Sequence, residues 1–232
     1  KEILIITNEE NIDQFCNLLK DGNQWGINIE YKIQKEPNGL AEAYLIAENF
    51  IKGYPTALIL GDNLFHGEKV NSIIESTKNL KSGAIILAYQ VKDPERYGVV
   101  NFNKDGLVLS IEEKPIVPKS NFAMTGLYLC DETVLDKAKK VTFSKRGELE
   151  ITDVMNMYLA EKSLKVEFLG RGNTWLDTGT YDSLYDASTY IRTIENRQGI
   201  KVGCPEEVAW KNKWITEKQL RELSKEYVKS GY

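Results

Sequence analysis

Two aspartates, Asp62 in Gly61-Asp62-Asn63-Leu64-Phe65 and Asp177 in Trp175-Leu176-Asp177-Thr178-Gly179-Thr180, each stand where an apolar run meets a glycine-bearing turn. Open α/β sheets gather ligand-handling groups at the carboxyl ends of their strands. Two carboxylates converging at such a place would hold a hard divalent cation, typically Mg2+ shared with substrate phosphates. Either aspartate alone could equally be a turn residue or a helix cap.

Two charged segments could supply the opposite sign. Glu112-Glu113-Lys114-Pro115 closes a strand-like run, and Pro115 stops further pairing there, which leaves these side chains at a sheet edge. Arg146-Gly147-Glu148-Leu149-Glu150-Ile151-Thr152-Asp153 leads into a helix, whose N-terminus attracts anions. Read singly, the first is also an ordinary charged strand end and the second an ordinary acidic first turn.

Other chemistries are excluded by what the chain lacks. A single histidine, His66, leaves no material for His-rich zinc sites or H-E-x-x-H proteases. Directly after a strand and turn, it reads as a satisfied structural histidine. Cys16, Cys130 and Cys204 are odd in number and far apart, which is neither a disulfide framework nor a metal-ligand pair, and points to a reducing cytoplasm. Gly170-Arg171-Gly172-Asn173-Thr174-Trp175 fails as a dinucleotide fingerprint because it ends in Trp and no helix follows. No Walker-type loop and no D-x-D occur. The net charge of −4 over 232 residues, with dispersed Lys and Arg, gives no basis for nucleic-acid or membrane-surface binding. No apolar run is long enough to span a bilayer. A 42% hydrophobic and 28% charged composition is that of a globular domain.

The elements that must position these groups follow from periodicity. Residues 3–7 and 56–60 read as buried strands, 27–34 as an alternating strand, and 84–91 as a further strand. Helices are expected from Asn8 to Gly22 with Ile12, Phe15, Cys16 and Leu19 inward, over 40–51, and over 71–80. The first ninety residues thus follow the β-α-β pattern of a parallel sheet covered on both faces. A hairpin follows, 99–102 and 107–111 around Asn103-Lys104-Asp105-Gly106. Beyond it come a strand at 122–130, helices at 132–139 and 151–162, and a strand at 164–169. A long helix from Tyr181 should turn Leu184, Ala187, Ser188 and Ile191 inward, and Thr216-Glu217-Lys218-Gln219 is a capping box. The expected fold is α/β, a Rossmann-like mixed, mostly parallel sheet flanked by helices, with an inserted hairpin. Its catalytic domain would span 1–199, with a helical extension over 200–232 packed on it. Because the chain enters a strand at once from Lys1, a preceding strand and phosphate-handling turn are also expected.

Taken in order, Gln34-x-x-Pro37-x-Gly39-Leu40-Ala41, Gly61-Asp62-Asn63, Tyr97-Gly98-Val99-Val100, Glu113-Lys114-Pro115, Thr125-Gly126-Leu127-Tyr128, the Arg146–Asp153 segment and Trp175-Leu176-Asp177-Thr178-Gly179 closely resemble the sugar-1-phosphate nucleotidylyltransferases, and among them the glucose-1-phosphate thymidylyltransferases. The likeness runs from Ile3 to about Trp214. It implies the nucleotide-diphospho-sugar transferase fold and a role for each matched residue. Asp62 and Asp177 would be the Mg2+ carboxylates, with Asn63 beside the nucleotide-sugar. Gln34 would bond the thymine edge, and Gly39 would let the base approach the backbone. Gly98, Glu113 and the Met124 backbone would hold the sugar, Lys114 and Arg146 would grip its phosphate, and Trp175 would pack beneath the site.

The resemblance further implies dTTP and glucose 1-phosphate as substrates, a homotetramer, and a place in dTDP-rhamnose or other deoxysugar synthesis under feedback by a downstream dTDP-sugar. It also places the family's Gly-rich triphosphate loop ahead of residue 1, so residues 1–232 alone are expected to be inactive and prone to aggregate. Two alternatives stay open at this point: a catalytically silent nucleotide-sugar-binding regulatory subunit, and a related enzyme using UTP.

Overall fold

The computed structural model describes residues 1–77, 80–230 and 232. Its elements in chain order are β1 (Glu2–Thr7), α1 (Ile12–Leu19), β2 (Asn28–Ile33), α2 (Glu42–Ile46), α3 (Glu48–Ile51), β3 (Thr56–Ile59), β4 (Asn63–His66), α4 (Glu68–Thr77), β5 (Ala84–Gln90), β6 (Gly98–Phe102), β7 (Val108–Glu113), β8 (Phe122–Cys130), α5 (Val134–Ala138), α6 (Ile151–Ala160), β9 (Leu164–Leu169), β10 (Thr174–Asp177), α7 (Tyr181–Gln198), α8 (Pro205–Lys211) and α9 (Glu217–Ser224). They form two compact units: residues 1–36 with 188–232, and residues 37–187. This is the mixed α/β architecture expected. None of the described helices is long and apolar enough to cross a membrane.

In the larger unit β8 is the organising strand. Its nine residues run antiparallel to β5 along one edge. The other edge is shared by β3 at the carboxyl half and β6 at the amino half. β9 continues the sheet in parallel beside β5, and β7 closes it beside β6. Side chains of a strand alternate between faces. Ala123, Leu127 and Leu129 accordingly join Ile85 and Leu87 of β5, Val70 and Ile73 of α4, Leu169 and Trp175 in one apolar core. Met124, Gly126 and Tyr128, on the opposite parity, line a cleft.

The hairpin forms as its turn residues require. Asn103 Oδ1 accepts from the Asp105 and Leu107 amides at 3.0 and 2.9 Å, and Gly106 adopts φ +81°. One side chain then fastens the hairpin to α6. Asn156 accepts from Ile111 N at 3.1 Å and donates to Ile111 O at 2.8 Å, which satisfies both backbone groups at the outer edge of β7. That clamp fixes the strand end carrying Glu113 and Lys114.

In the smaller unit β1 and β2 pair in parallel. Trp25, Ile29, Ala209 and Ile215 form its core. Buried Glu206 accepts from Trp25 Nε1 at 3.0 Å and from the Tyr232 hydroxyl at 2.7 Å. The capping box of α9 forms as read from Thr216 and Gln219.

Several expectations are corrected. β1 and β3 are not fully buried: Ile3 is 42% and Ile59 56% exposed. Among the described residues each is paired along one edge, so an unbroken apolar run did not mean cover on both faces. The sheet of the first ninety residues is not simply parallel either, because β8 enters antiparallel between β3 and β5. The helix expected over 40–51 is two short ones that break at Ala47, where ψ is 1°. The helix expected over 71–80 runs Glu68–Thr77, and residues 78 and 79 of that range lie outside the described residues. Asn8 caps not α1 but the turn before it, accepting from Asn11 N at 3.0 Å. On α7 Ala187 is buried, whereas Leu184 and Ser188 are exposed.

Replacing Asn156 by Ala leaves the Ile111 amide and carbonyl without their partners in a buried position. Urea denaturation should show a loss of about 1–3 kcal/mol, and an unchanged midpoint would show that the clamp is not needed.

Candidate active site

Asp62 and Asp177 come together through strands too short to announce themselves. β4 and β10 form an antiparallel ladder in which Asn63 lies opposite Asp177 and Phe65 opposite Trp175. Thr178, just past β10, seals the end of the ladder by donating its amide and hydroxyl to the Asp62 carbonyl at 2.9 and 2.8 Å. The two carboxylates then face one point beside Gly179. A Cβ built there would lie 3.1 Å from Asp177 Oδ1 and 3.6 Å from Asp62 Oδ2.

Each carboxylate is held by its remaining oxygen. Asp62 Oδ1 accepts from Asn63 Nδ2 at 2.8 Å, and Asp177 Oδ2 from Arg96 Nη2 at 3.4 Å. Gly179 N donates to Asp177 Oδ1 at 3.0 Å. Asn63 is a hub, since its Oδ1 also accepts from Trp175 Nε1 at 2.6 Å and Gly126 N at 3.0 Å. Gly126 has to be glycine here, because a Cβ would come within 2.7 Å of Asn63 Cγ. Tyr97 packs edge-on against Trp175, ring centroids 5.1 Å apart. Burial, reinforced by the Asp177 charge, pushes its phenol up to about 12, so it stays protonated beside Asp177.

The other end of the same cleft carries the charged residues of β7 and the segment before α6. Gly98 lies opposite Glu113 in the hairpin register. Its missing Cβ leaves room for Thr152 and Met124, whose atoms would stand at 3.0 and 3.1 Å from one. Lys114 N donates to Tyr97 O at 3.0 Å, and Lys114 adopts φ +38°, left-handed backbone that a non-glycine residue rarely takes. Strain of this kind persists only where the surroundings impose it, and it is concentrated at ligand-handling residues.

Arg146 reaches three carboxylates: Glu148 at 2.7 Å, Glu150 at 3.2 Å and Glu113 at 3.4 Å. Burial, followed by the neighbouring Glu150 charge, raises the Glu113 carboxyl above the usual glutamate range, against the pull of Lys114 and Arg146. Glu113 therefore contributes to stability in its protonated form, and that contribution is lost as pH rises through its folded value.

Of the residues singled out in the sequence, Asp62, Asn63, Gly98, Glu113, Lys114, Met124, Trp175 and Asp177 all line this one cleft, and Arg146 bonds to its wall. Gly39, at φ +107°, packs on the Leu149 backbone, where a Cβ would come within 2.5 Å of the carbonyl oxygen. Gln34 belongs to the smaller unit, its amide donating to Thr7 O at 2.8 Å. Sequence reasoning missed Arg96, Tyr97, Tyr128, Glu148 and Glu150 as cleft residues. Tyr97, Tyr128, Glu148 and Glu150 lie inside the quoted motifs. Arg96 carried only the signal of Asp93-Pro94, a turn placed just before a strand.

Over residues 1–194 the chain matches the family described as nucleotidyl transferase. It is 45% identical, over its whole length and 81% of the relative's, to a glucose-1-phosphate thymidylyltransferase of Neisseria meningitidis. To the protein of that name from Mycolicibacterium smegmatis it is 49% identical, over its whole length and 80% of the relative's. The chain belongs to the nucleotidyl transferase family, in its glucose-1-phosphate thymidylyltransferase branch. A crystal structure from Bacillus anthracis, named for the same enzyme and holding sucrose, superposes with a TM-score of 0.76 at 36% identity, covering 87% of this chain and 78% of that one. A UDP-glucose pyrophosphorylase bound to UDP-glucose shares the fold at 21% identity and a TM-score of 0.67, covering 83% and 81% of the two chains. The recognised family and the enzyme class read from the motifs are thereby borne out.

The electrostatics of Glu113 can be read directly. In a carbon-detected NMR titration of the ligand-free protein, Glu113 should titrate above the ordinary glutamate midpoint. Glu150→Gln should lower that midpoint and Arg146→Gln should raise it, and shifts in the opposite directions would contradict the arrangement of charges.

Proposed function

We propose that this enzyme condenses dTTP with α-D-glucose 1-phosphate to give dTDP-glucose and pyrophosphate. The observation that carries the reading is one cleft with a carboxylate pair at one end and Glu113, Lys114 and Arg146 at the other, in a chain whose relatives bear that enzyme's name.

The reaction suits a site without a histidine base. A phosphate monoester has a second pKa of about 6 and is mostly dianionic at neutral pH, so its oxygen attacks without losing a proton. That oxygen forms a bond to the α-phosphorus of dTTP, the bond from the α-phosphorus to the bridging oxygen breaks, and the electron pair leaves on pyrophosphate. The obstacle is the approach of two polyanions, so positioning and charge neutralisation do the catalytic work.

Lys114 and Arg146 would bind and orient the sugar phosphate. Arg146 is already turned toward the cleft by its carboxylate partners, two of them at the long distances of 3.2 and 3.4 Å. Glu113, at the position facing Gly98, would take the sugar hydroxyls, with the Met124 backbone beside it. Gly39 would let the thymine base approach the backbone. Asp62 and Asp177 fit Mg2+ by chemistry and placement: two hard oxygen donors with one oxygen each toward a common point. Among the described residues no cluster of three or more metal-ligating side chains is found, so these two carboxylates would be the protein's share of the ion's ligands. When bound, it would supply Lewis-acid neutralisation of the phosphate charge. Tyr97 and Trp175 would keep water from the floor beneath. The product would feed dTDP-rhamnose or related deoxysugar synthesis, in a cytoplasmic homotetramer.

The test is pyrophosphate release by the full-length enzyme across dTTP, UTP, glucose 1-phosphate and galactose 1-phosphate. Turnover should be fastest with dTTP and glucose 1-phosphate. Lys114→Ala and Arg146→Ala should each cost about ten- to a hundredfold in kcat/KM for the sugar phosphate, with little change in the dTTP parameters. Losses confined to dTTP would place these cations on the wrong substrate.

A further inference from the structure

Arg96 stands between two aspartates and engages them unequally. Its Nη1 donates to Asp93 Oδ2 at 2.8 Å, whereas its Nη2 reaches Asp177 Oδ2 only at 3.4 Å. Charge-assisted bonds of this type ordinarily close to about 2.7–2.9 Å, so the Asp93 bond is fully made and the Asp177 bond is loose. The guanidinium carbon also lies 5.3 Å from the Tyr97 ring centroid. Arg96 would therefore keep two partners if Asp177 were withdrawn. Asp93 precedes the short 3-10 turn Pro94–Arg96, which carries Arg96 to the cleft mouth.

On the other side of that loose bond stand two carboxylates facing one point beside Gly179. Among the described residues Arg96 is the one cation within ion-pair distance of either. Without it, the oxygens of Asp62 and Asp177 would confront each other uncompensated. With it, a dication settling between them meets a fixed positive charge at Asp177.

We propose that Arg96 is the resident counter-cation of Asp177: it balances the carboxylate pair in the metal-free enzyme, loosely enough to yield to a divalent ion, and it keeps that ion's affinity low in the absence of nucleotide. The proposal rests on the assignment of Asp62 and Asp177 to the metal. Arg96 is a positioning residue here, acting through Asp177.

The experiment is Mn2+ binding to the full-length protein without nucleotide, followed by the electron paramagnetic resonance signal of free Mn2+, for the wild type, Arg96→Gln, Arg96→Lys and Asp177→Asn. Arg96→Gln should bind Mn2+ roughly three- to tenfold more tightly than the wild type, the scale of one partly exposed charge acting on a dication. Arg96→Lys should stay near the wild type, and Asp177→Asn should bind more weakly. Equal or weaker binding by Arg96→Gln, with Asp177→Asn still weakened, would overturn the counter-cation role and leave the metal assignment standing. Equal tightening in Arg96→Lys would show that charge is not the cause and would also overturn it. Binding untouched by Asp177→Asn would bring down the metal assignment and this role together.

Discussion

In the β4–β10 ladder Asn63 is opposite Asp177 and Phe65 is opposite Trp175, and most of what the cleft can do depends on that register. A slip of one residue would send each side chain to the other face. Asp177 would then leave Asp62, and Trp175 would leave the Asn63 amide and the apolar core it shares with Leu127 and Leu129. The register is secured at several places by different chemistry. Thr178 bonds the Asp62 carbonyl with both its amide and its hydroxyl, Asn63 ties Trp175 to the central strand at Gly126, and Gly126 leaves the space that Asn63 occupies. Packing, hydrogen bonding and the placing of two like charges are thus one constraint. The carboxylates do not need to attract each other to be adjacent, because the ladder holds them there.

Charge is distributed along the cleft in the same economical way. At one end Asp93 and Asp177 share Arg96, and at the other Glu113, Glu148 and Glu150 share Arg146. In both places the cation makes one short bond, to Asp93 at 2.8 Å or Glu148 at 2.7 Å, and longer contacts with its other carboxylate partners. Burial, and then the neighbouring Glu150 charge, raise the Glu113 carboxyl, and Lys114 and Arg146 offset part of the shift.

Much of this was legible in the residues. Long periodic segments were read correctly: β8 over 122–130 and β9 over 164–169 have the bounds expected, and the hairpin follows from Asn103 and Gly106. The ordered motifs identify the family from the residues alone. What escaped were β4 and β10. Asn63–His66 and Thr174–Asp177 are too short for a period to appear, and each ends in residues that look like turn formers. The antiparallel entry of β8 was equally hidden, since local pattern does not say which strand lies between two others. Arg96 stayed invisible for a related reason: Asp93 is its neighbour in the chain, but Asp177 is brought to it by the ladder, not by spacing.

The central claim is that the β4–β10 register makes Asp62 and Asp177 a single metal site. Anomalous diffraction from crystals of the full-length enzyme grown with Mn2+ and dTTP tests it most directly. One manganese peak within about 2.0–2.3 Å of an oxygen from each aspartate and of a nucleotide phosphate oxygen is the predicted result. A peak bound to the nucleotide but remote from either carboxylate, with both still facing Gly179, would contradict it.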